Sequence, residues 1–294
     1  MDINNTSLRG VFTGFQTKFN EGLKNAESYY SSVAMKVPSS TSDTTYAWLG
    51  AMPSLREWIG DRVLHDLSVS SYKIINREFE ASVRVKRTTL EDDQYGIFAP
   101  IFEKMGRDVA MHPDDLIFSL LGKGFSERCY DGQNFFDTDH PVKKDGIEVS
   151  VSNMQPGTGA GWYLLDCRQA LKPMIYQERL PFRFTSIDGD QSEHVFLQNE
   201  FVYGTRGRSN AGYGLWQLAF GSKAELNAAN YEAARMTMME TKSDNGKPLG
   251  IRPSHLVVPP SLEGAGRRIL KAMLADGSTN EWAASAELIV TPYL

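Results

Sequence analysis

Three polar residues of types that bind metals lie close together in a turn-rich segment. Asp137, Asp139 and His140 belong to the stretch 129–142, which reads CYDGQNFFDTDHPV. A metal-dependent hydrolase could use such residues, but a hard cation needs more oxygen ligands in a defined order, and zinc needs further His or Cys ligands. Asp and Asn also favour turns that close on their own backbone. We therefore interpret the segment as an ordered turn, expect no metal and no other cofactor, and keep the hydrolase as the alternative function.

Other patterns of catalysis are scarce. The sequence has no Gly-x-Ser-x-Gly and no His-Glu-x-x-His, and its five histidines stand singly at 65, 112, 140, 194 and 255. The glycine-rich stretch 157–161 lacks the Lys-Ser/Thr of a phosphate-binding loop and precedes a strand-like segment, so we interpret it as a flexible turn. These observations favour a protein that is not an enzyme.

Composition excludes several other classes of protein. The 294 residues are 41% hydrophobic, enough to bury a sizeable core. A net charge of −5 argues against a dedicated nucleic-acid-binding module. The two cysteines, Cys129 and Cys167, form no disulfide framework, which suits a reducing cytoplasm. With neither a secretory leader nor a long apolar run, we expect no secretion and no membrane span.

The elements that would position functional residues centre on 72–124, where the hydrophobic period changes from two to about 3.6. Alternating apolar residues from Phe79 to Val85 predict a half-exposed strand, whose outer face carries charges. At ~35 Å, a strand over 78–88 is longer than one small sheet needs, so we expect a projecting ribbon that is ordered by lying on a neighbouring subunit. Its candidate intersubunit contacts are Glu78, Glu80, Arg84 and Lys86.

A long helix is predicted to follow this strand. The apolar spacing indicates a helix from Leu90 to Met111, bent at Pro100, and a second helical piece that begins at Pro113 and ends near Leu121. Upstream, residues 7–23 predict an amphipathic helix. Val37–Tyr46 favours either an extended arm that detaches this helix from the body or an ordinary loop. Residues 48–67 predict a packed helical segment.

The second half of the chain is rich in predicted strands, which cover 162–165, 173–177, 182–187, 195–203 and 214–220. The intervening loop 204–212 carries Arg206 and Arg208, which could meet phosphate, a partner's carboxylates or only solvent. A helix over 224–242 follows, with methionines 236, 238 and 239 as core residues. A strand at 255–258, a helix at 262–274 and a strand at 287–291 complete a compact α/β lobe.

Several motifs in this order resemble those of the major head subunit of Mu-like tailed phages, a family of capsid proteins with the Hong Kong 97-type fold. The resemblance extends over almost the whole chain. The motifs that carry it are AWLG at 47–50, EDD at 91–93, YGIFAPIF at 95–102, CYDGQNFF at 129–136, WYLLD at 162–166, ALKP at 170–173, WQLAFGSK at 216–223 and LVVPP at 256–260.

The resemblance implies an α+β fold with an N-terminal arm (1–50), an extended loop (51–89), a peripheral domain with a spine helix and β-strands (90–220), and an axial-type α/β lobe (221–294). It implies a structural protein that assembles in the bacterial host cytoplasm into hexamers and pentamers of an icosahedral virion shell. The implied partners are other copies of the chain, a scaffold or protease, a portal, decoration proteins and packaged double-stranded DNA contacted without sequence specificity.

Overall fold

The structure is a computed structural model that describes residues 3–47, 49, 71–92, 94–144, 147–189, 191–243, 246–272, 274–275 and 278–294. The α-helices in this part of the chain are α1 (Asn5–Asn25), α2 (Tyr30–Val33), α3 (Arg87–Glu91), α4 (Ala99–Gly122), α5 (Glu193–Gln198), α6 (Ala228–Met239) and α7 (Glu263–Leu270). Short 3-10 helices cover Tyr95–Phe98, Trp216–Leu218 and Pro260–Leu262.

The described strands are β1 (Ala34–Pro38), β2 (Asp43–Thr45), β3 (Lys73–Ile75), β4 (Arg77–Lys86), β5 (His140–Lys144), β6 (Ile147–Val151), β7 (Met154–Gln155), β8 (Trp162–Leu165), β9 (Met174–Ile187), β10 (Glu200–Tyr213), β11 (Ala219–Ser222), β12 (His255–Val258), β13 (Leu274–Ala275), β14 (Ser278–Thr279) and β15 (Glu287–Val290). Helices and sheets are thus combined as the predicted α+β class requires.

Two sheets organise the described chain. The four-stranded sheet has the order β1-β9-β10-β4, in which β9, β10 and β4 are antiparallel neighbours and β1 runs parallel to β9. The five-stranded sheet has the order β15-β12-β8-β11-β7. Strand pairs β2-β3, β5-β6 and β13-β14 are added outside them. Both main sheets therefore join segments that are far apart in the sequence.

Alternating side chains cover both faces of the five-stranded sheet. On β8, Trp162 and Leu164 lie on one face and contribute to a core that includes Tyr231 of α6. Tyr163 and Leu165 belong to a second core, which also contains buried residues from the carboxyl-terminal half of α4. Because successive side chains of a strand point to opposite faces, a fully apolar four-residue strand serves both cores.

A third core joins α1 and α4 to the four-stranded sheet. Phe15 of α1 stacks on Phe102 of α4 with ring centroids 4.2 Å apart. The edge of Phe102 also meets the rings of Phe184 and Tyr203. The prediction of a helix at 7–23 is confirmed, but this helix is docked on the body. Residues 37–46 hold no detached arm, since β1 pairs with β9.

The long helix differs from its prediction at both prolines. Pro100 occupies the first turn of α4, where its missing N–H costs no hydrogen bond, so it starts this helix and does not bend one that began at Leu90. Pro113 lies inside α4, which continues without a break to Gly122. The continuation is held by Asp114, whose buried carboxylate accepts the backbone N–H groups of Tyr29 and Tyr30.

The predicted projecting ribbon is wrong in its placement. The alternating strand is present as β4, but it pairs along its length with β10 as an edge of the four-stranded sheet. Val85 is fully buried beside Phe201 and Tyr203, so the protomer itself orders this strand. The predicted loop over 204–212 is wrong as well, because β10 runs without interruption to Tyr213.

The remaining predictions have mixed outcomes. Strands at 162–165, 255–258 and 287–290 are confirmed, and the predicted 173–177 and 182–187 strands form the single strand β9. The predicted strand at 195–203 begins instead as helix α5, and that at 214–220 contains a 3-10 helix before β11. Helices at 224–242 and 262–274 are present as the shorter α6 and α7. Of the three methionines, Met238 is buried, whereas Met236 and Met239 are exposed. Apart from Leu49, which is buried, the predicted helical segment at 48–67 lies outside the described residues.

Candidate functional site

His140, the histidine of the possible metal site, is fully buried. Its ring stacks on that of Trp216, with centroids 4.0 Å apart and an interplanar angle of 10°. Nδ1 lies 2.7 Å from Oδ2 of Asp131, and Nε2 lies 3.1 Å from Oδ1 of Asn153. The ring is therefore enclosed by protein groups.

The orientation of the Asn153 amide follows from its own partners. Its nitrogen faces the carbonyl oxygens of Phe135, Trp216 and Ala219 at 2.9, 3.4 and 3.3 Å, so this end carries the two N–H groups. Its Oδ1 accepts the backbone N–H of Asp137 at 2.9 Å and faces His140. Both ring nitrogens of His140 thus face oxygen atoms of buried protein groups.

Cys129 completes this network from the other side of Asp131. Its thiol donates to Oδ1 of Asp131 at 3.1 Å, and burial raises its pKa, which favours the protonated thiol. Burial alone would raise the pKa of Asp131 too, but hydrogen bonds from His140 and Cys129 hold it below its ordinary value. Potential ligand atoms of Cys129, Asp131 and His140 lie within 4.8 Å of one another. Each is already used in a hydrogen bond, so the cluster fastens the segment to the core.

The structure does not bring Asp137, Asp139 and His140 together as a metal site. Asp137 accepts the backbone N–H groups of Asn134 and Thr138 at 3.2 and 2.8 Å. Asp139 lies on the surface, whereas His140 lies in the core. Partial desolvation and a hydrogen bond with Asp137 raise the pKa of Asp139. The predicted ordered turn is confirmed by these backbone bonds. Asp131 and Asn153 escaped the sequence analysis because only the tertiary fold places them beside His140.

The other predicted contact residues lie along β4 and β10. Glu78 binds two arginines of the neighbouring strand: its Oε1 is 3.1 Å from Nη2 of Arg206 and 3.4 Å from Nε of Arg208. Arg206 and Arg208 are thus brought to β4 by strand pairing. Because Glu78 and Arg206 both remain largely exposed, their pair adds little to the stability of the protomer.

At the opposite end of β4, the charges are also exposed. Nη1 of Arg84 lies 3.5 Å from Oε1 of Glu200, yet 74% of the Arg84 side chain is accessible. Glu80 accepts a hydrogen bond from the Ser82 hydroxyl at 2.7 Å. Lys86 is exposed and makes no ion pair with a described residue. This edge of the sheet is therefore a charged surface whose groups can take further partners.

The glycines of β10 explain why this strand resembled a loop. A Cβ at Gly207 would lie 2.7 Å from the ring of Phe182, and one at Gly212 would lie 2.1 Å from Cδ1 of Ile74. Side chains from other segments therefore occupy the space that a side chain at these glycine positions would need. A shift in the β9–β10 register beside Arg208 accommodates the crowding.

Among the described helices, none is long and apolar enough to cross a membrane.

Comparison with known proteins gives matches over the full chain. Residues 8–294 match the model of a protein family described as Mu-like prophage major head subunit gpT. The major capsid protein of Escherichia phage Mu is 42% identical over 305 residues, and the alignment covers 100% of both chains. The Mu-like prophage FluMu major head subunit of Haemophilus influenzae is 44% identical over 98% of this chain and 97% of the relative.

Solved structures of shells contain similar chains. A chain in the procapsid of bacteriophage JBD30 aligns with a TM-score of 0.87 at 43% identity, covering 99% of this chain and 100% of that one. A chain in the JBD30 capsid aligns with a TM-score of 0.77 at 33% identity, covering 92% and 91%. A chain in the JBD30 capsid decorated with minor capsid protein trimers aligns with a TM-score of 0.76 at 34% identity, covering 93% of each.

Proposed function

Because the chain belongs to the family of Mu-like prophage major head subunits, we propose that it forms the hexamers and pentamers of an icosahedral shell that encloses double-stranded DNA. Members of this family are structural capsid proteins and not enzymes. The observation that carries the proposal is the match to the JBD30 procapsid chain, which extends over nearly the whole protein. The metal-dependent hydrolase is rejected, since the family is structural and His140 is enclosed in the core.

The charged surface along β4 and β10 supports self-association. We propose that Glu78, Glu80, Arg84, Lys86, Arg206 and Arg208 contact neighbouring copies in the shell. Exposed charges contribute mainly to orientation and partner choice, and each contact is weak. A closed symmetric shell repeats the contact many times, so a small free energy per contact is sufficient.

We further propose that the protein is a virion component assembled in the bacterial cytoplasm. Its partners would be a scaffold or protease, a portal and decoration proteins. The similar JBD30 capsid is decorated with minor capsid protein trimers, which supports the last of these classes. Packaged DNA would lie near the inner surface without sequence-specific contacts, in keeping with the net charge of −5.

We propose that the shell subunit consists of four units. These are an arm (1–50), an extended loop (51–89), a peripheral domain (90–220) and an axial-type lobe (221–294). Within the protomer, strand pairs cross all three of these boundaries. Strand β2 of the arm pairs with β3, strand β4 pairs with β10 in the four-stranded sheet, and strand β12 of the lobe pairs with β8 in the five-stranded sheet. The units are therefore tied together by their strands.

Electron microscopy and sedimentation of the purified full-length chain test the proposed function. We expect shells, tubes or ring-shaped capsomers to form as protein concentration is raised. A protein that stays monomeric at every concentration and under crowding conditions would contradict self-assembly. Strong, salt-dependent DNA binding by the free protomer would instead support a nucleic-acid-binding module.

A further inference from the structure

A cavity of about 860 Å³ lies at one edge of the five-stranded sheet, between the glycine-rich loop 156–160, the residues that follow β11 and the first turns of α7. Its volume falls within the roughly 300–1,000 Å³ of small-molecule sites. Strands β11 and β12 both end at this edge, and β12 leads through a short 3-10 helix into α7. Crevices beyond the carboxyl ends of strands are common ligand sites in α/β folds.

The glycine-rich loop is held against one wall of the cavity by backbone contacts. The backbone N–H of Gly159 donates to the carbonyl oxygen of Lys223 at 2.9 Å. A Cβ at Gly157 would lie 2.1 Å from the same oxygen, so glycine is needed for this close approach. On the adjoining side, the indole N–H of Trp162 donates to the carbonyl oxygen of Ala224 at 2.9 Å. The walls of the cavity are therefore already formed in the protomer.

Two cationic side chains from separate segments line the cavity, those of Lys223 and Arg268. Nζ of Lys223 lies 4.6 Å from the centre of the Phe125 ring, and Arg268 belongs to α7. Within the described part of the chain, neither side chain makes an ion pair or a hydrogen bond. The hydroxyls of Thr158 and Ser261 line the same cavity and also lack a described partner. Four polar side chains can thus donate hydrogen bonds to an anion here.

The rest of the lining narrows the class of ligand. Glu225 is the single carboxylate among the described lining residues, so the two cations outnumber it. The buried Leu226 and the half-buried Leu262 add an apolar wall. A phosphate group carries up to two negative charges and accepts several hydrogen bonds, which suits donors from different segments better than a single carboxylate does. The cavity is larger than a phosphate ion and leaves room for an organic part.

We propose that this cavity binds a small organic phosphate, with its phosphate group at Lys223 and Arg268 and its organic part against Leu226 and Leu262. A nucleic-acid duplex is too wide to enter the cavity, so a free molecule is the favoured source of the phosphate. This binding is a property of the single chain and does not depend on assembly into a shell.

Isothermal titration calorimetry of the full-length chain, with ADP as the probe in phosphate-free buffer, tests the site. We expect saturable binding of one ADP per chain. Lys223→Met and Arg268→Met should each weaken ADP affinity at least about ten-fold, because each removes a charged hydrogen-bond donor. Glu225→Gln should tighten binding about two-fold or more, because it removes the opposing charge.

Lys271→Met is the matched control. It removes the same charge from the end of α7, and Lys271 does not line the cavity. Because solvent and salt screen a distant exposed charge, ADP affinity should stay within about two-fold of the parent value. Circular dichroism spectra show whether each variant is folded, and if Lys223→Met unfolds, Arg268→Met decides the outcome.

Competition experiments identify the part of the ligand that is recognised. Pyrophosphate should displace ADP, whereas adenosine, which lacks the phosphate, should not. The proposal is overturned if neither ADP nor pyrophosphate binds, if the Arg268 variant binds like the parent, or if Lys271→Met weakens binding equally. Displacement of ADP by a DNA duplex but not by pyrophosphate would likewise overturn it in favour of a nucleic-acid contact. None of these results bears on shell formation, which is measured separately.

Discussion

Asn153 connects the turn-rich segment 129–142 to the five-stranded sheet, because its side-chain amide donates both to the carbonyl of Phe135 and to that of Ala219 in β11. Its amide nitrogen donates to three carbonyl oxygens, and its Oδ1 accepts from the backbone of Asp137 and faces the ring of His140. Because these groups are buried, water would not replace the Asn153 side chain as their hydrogen-bond partner if it were removed. The segment whose residue types suggested a metal site thus has a structural role.

We expect Asn153→Ala to lower the free energy of unfolding by about 2 to 4 kcal/mol, because it leaves several buried donors and acceptors unpaired. Urea-induced unfolding followed by circular dichroism measures this loss. Asn210→Ala is the matched control. The Asn210 amide donates to the carbonyl of Ile75 at 2.7 Å and accepts the backbone N–H of Ala211 at 2.9 Å, and because these bonds are peripheral their loss should cost less than about 1 kcal/mol. Equal losses in the two variants would contradict the fastening role.

His112 gives the protomer a predictable response to acid. Its ring lies between Phe79 and Phe182, with centroid distances of 4.2 and 5.3 Å. Burial lowers the pKa of His112 below its ordinary value of 6.5; the charge of Asp115 opposes this shift and that of Arg77 adds to it. Below pH 6.5 the unfolded chain therefore binds more protons than the folded chain, so the stability contributed at higher pH is lost as pH falls.

The free energy of unfolding should accordingly decrease as pH is lowered through 6.5. His112→Gln removes the titrating group and keeps one able to bond the Ser209 hydroxyl, which lies 3.1 Å from His112 Nε2. This variant should lose less stability over the same pH interval than the parent does. Identical pH dependence in parent and variant, measured by urea unfolding, would show that His112 is not the source.

Phe102 tests the core between the long helix and the four-stranded sheet. It is fully buried and contacts Phe15, Phe184 and Tyr203, so Phe102→Ala should cost about 3 to 5 kcal/mol of unfolding free energy. The neighbouring Ile101 is 44% exposed and serves as the control, for which alanine should cost clearly less. An unchanged melting temperature in the Phe102 variant would refute the placement of this face of α4.

At the scale of elements, α1 and α4 cross at a pair of glycines. A Cβ on Gly106 would lie 1.9 Å from the carbonyl oxygen of Phe19, and one on Gly22 would lie 1.9 Å from that of Glu103. The two helix backbones therefore touch, and neither can move aside without separating the helices. This crossing explains why the amino-terminal helix is docked on the body.

We expect Gly106→Ala to destabilise the protomer by about 1 to 3 kcal/mol despite the better helix propensity of alanine, because the added methyl group meets rigid backbone. Gly14→Ala is a matched control within α1, since a Cβ at Gly14 has no atom within 4 Å. It should stabilise by up to about 1 kcal/mol. Thermal unfolding compares the two, and a stabilised Gly106 variant would contradict the close crossing.

Local patterns predicted helices and strands correctly where the residue types favour one kind of secondary structure. The alternation in β4 and the apolar spacing in α1 determine strand and helix directly. Pro113 was misleading, because tertiary contacts of the following turns, including those of Asp114, keep the helix intact. The glycines of β10 were misleading too, since their role is to admit the side chains of Phe182 and Ile74 from other segments. These tertiary contacts cannot be predicted from a short stretch of sequence.

At the scale of the molecule, the sheets join strands that no local pattern could have paired. Edge strand β4 lies next to β10, more than a hundred residues later, and this pairing moves Arg206 and Arg208 to the side of Glu78. The sequence predicted which charges are exposed but not that they share one surface. Helix α5 was missed because residues 195–203 have the composition of a strand.

A charge exchange at one end of β4 separates folding from assembly. Arg84 pairs with Glu200 in the protomer, so Arg84→Glu alone would both break this pair and reverse the outward charge. Combining Arg84→Glu with Glu200→Lys restores an ion pair of opposite polarity, and the protomer should keep the melting temperature of the parent. If Arg84 contacts a neighbouring copy, the exchanged variant should still assemble less well, because every repeat of the contact now places a negative charge where a positive one is needed. Sedimentation and electron microscopy of the parent and both variants measure this. Full recovery of assembly in the exchanged variant would mean that Arg84 acts only within its own chain.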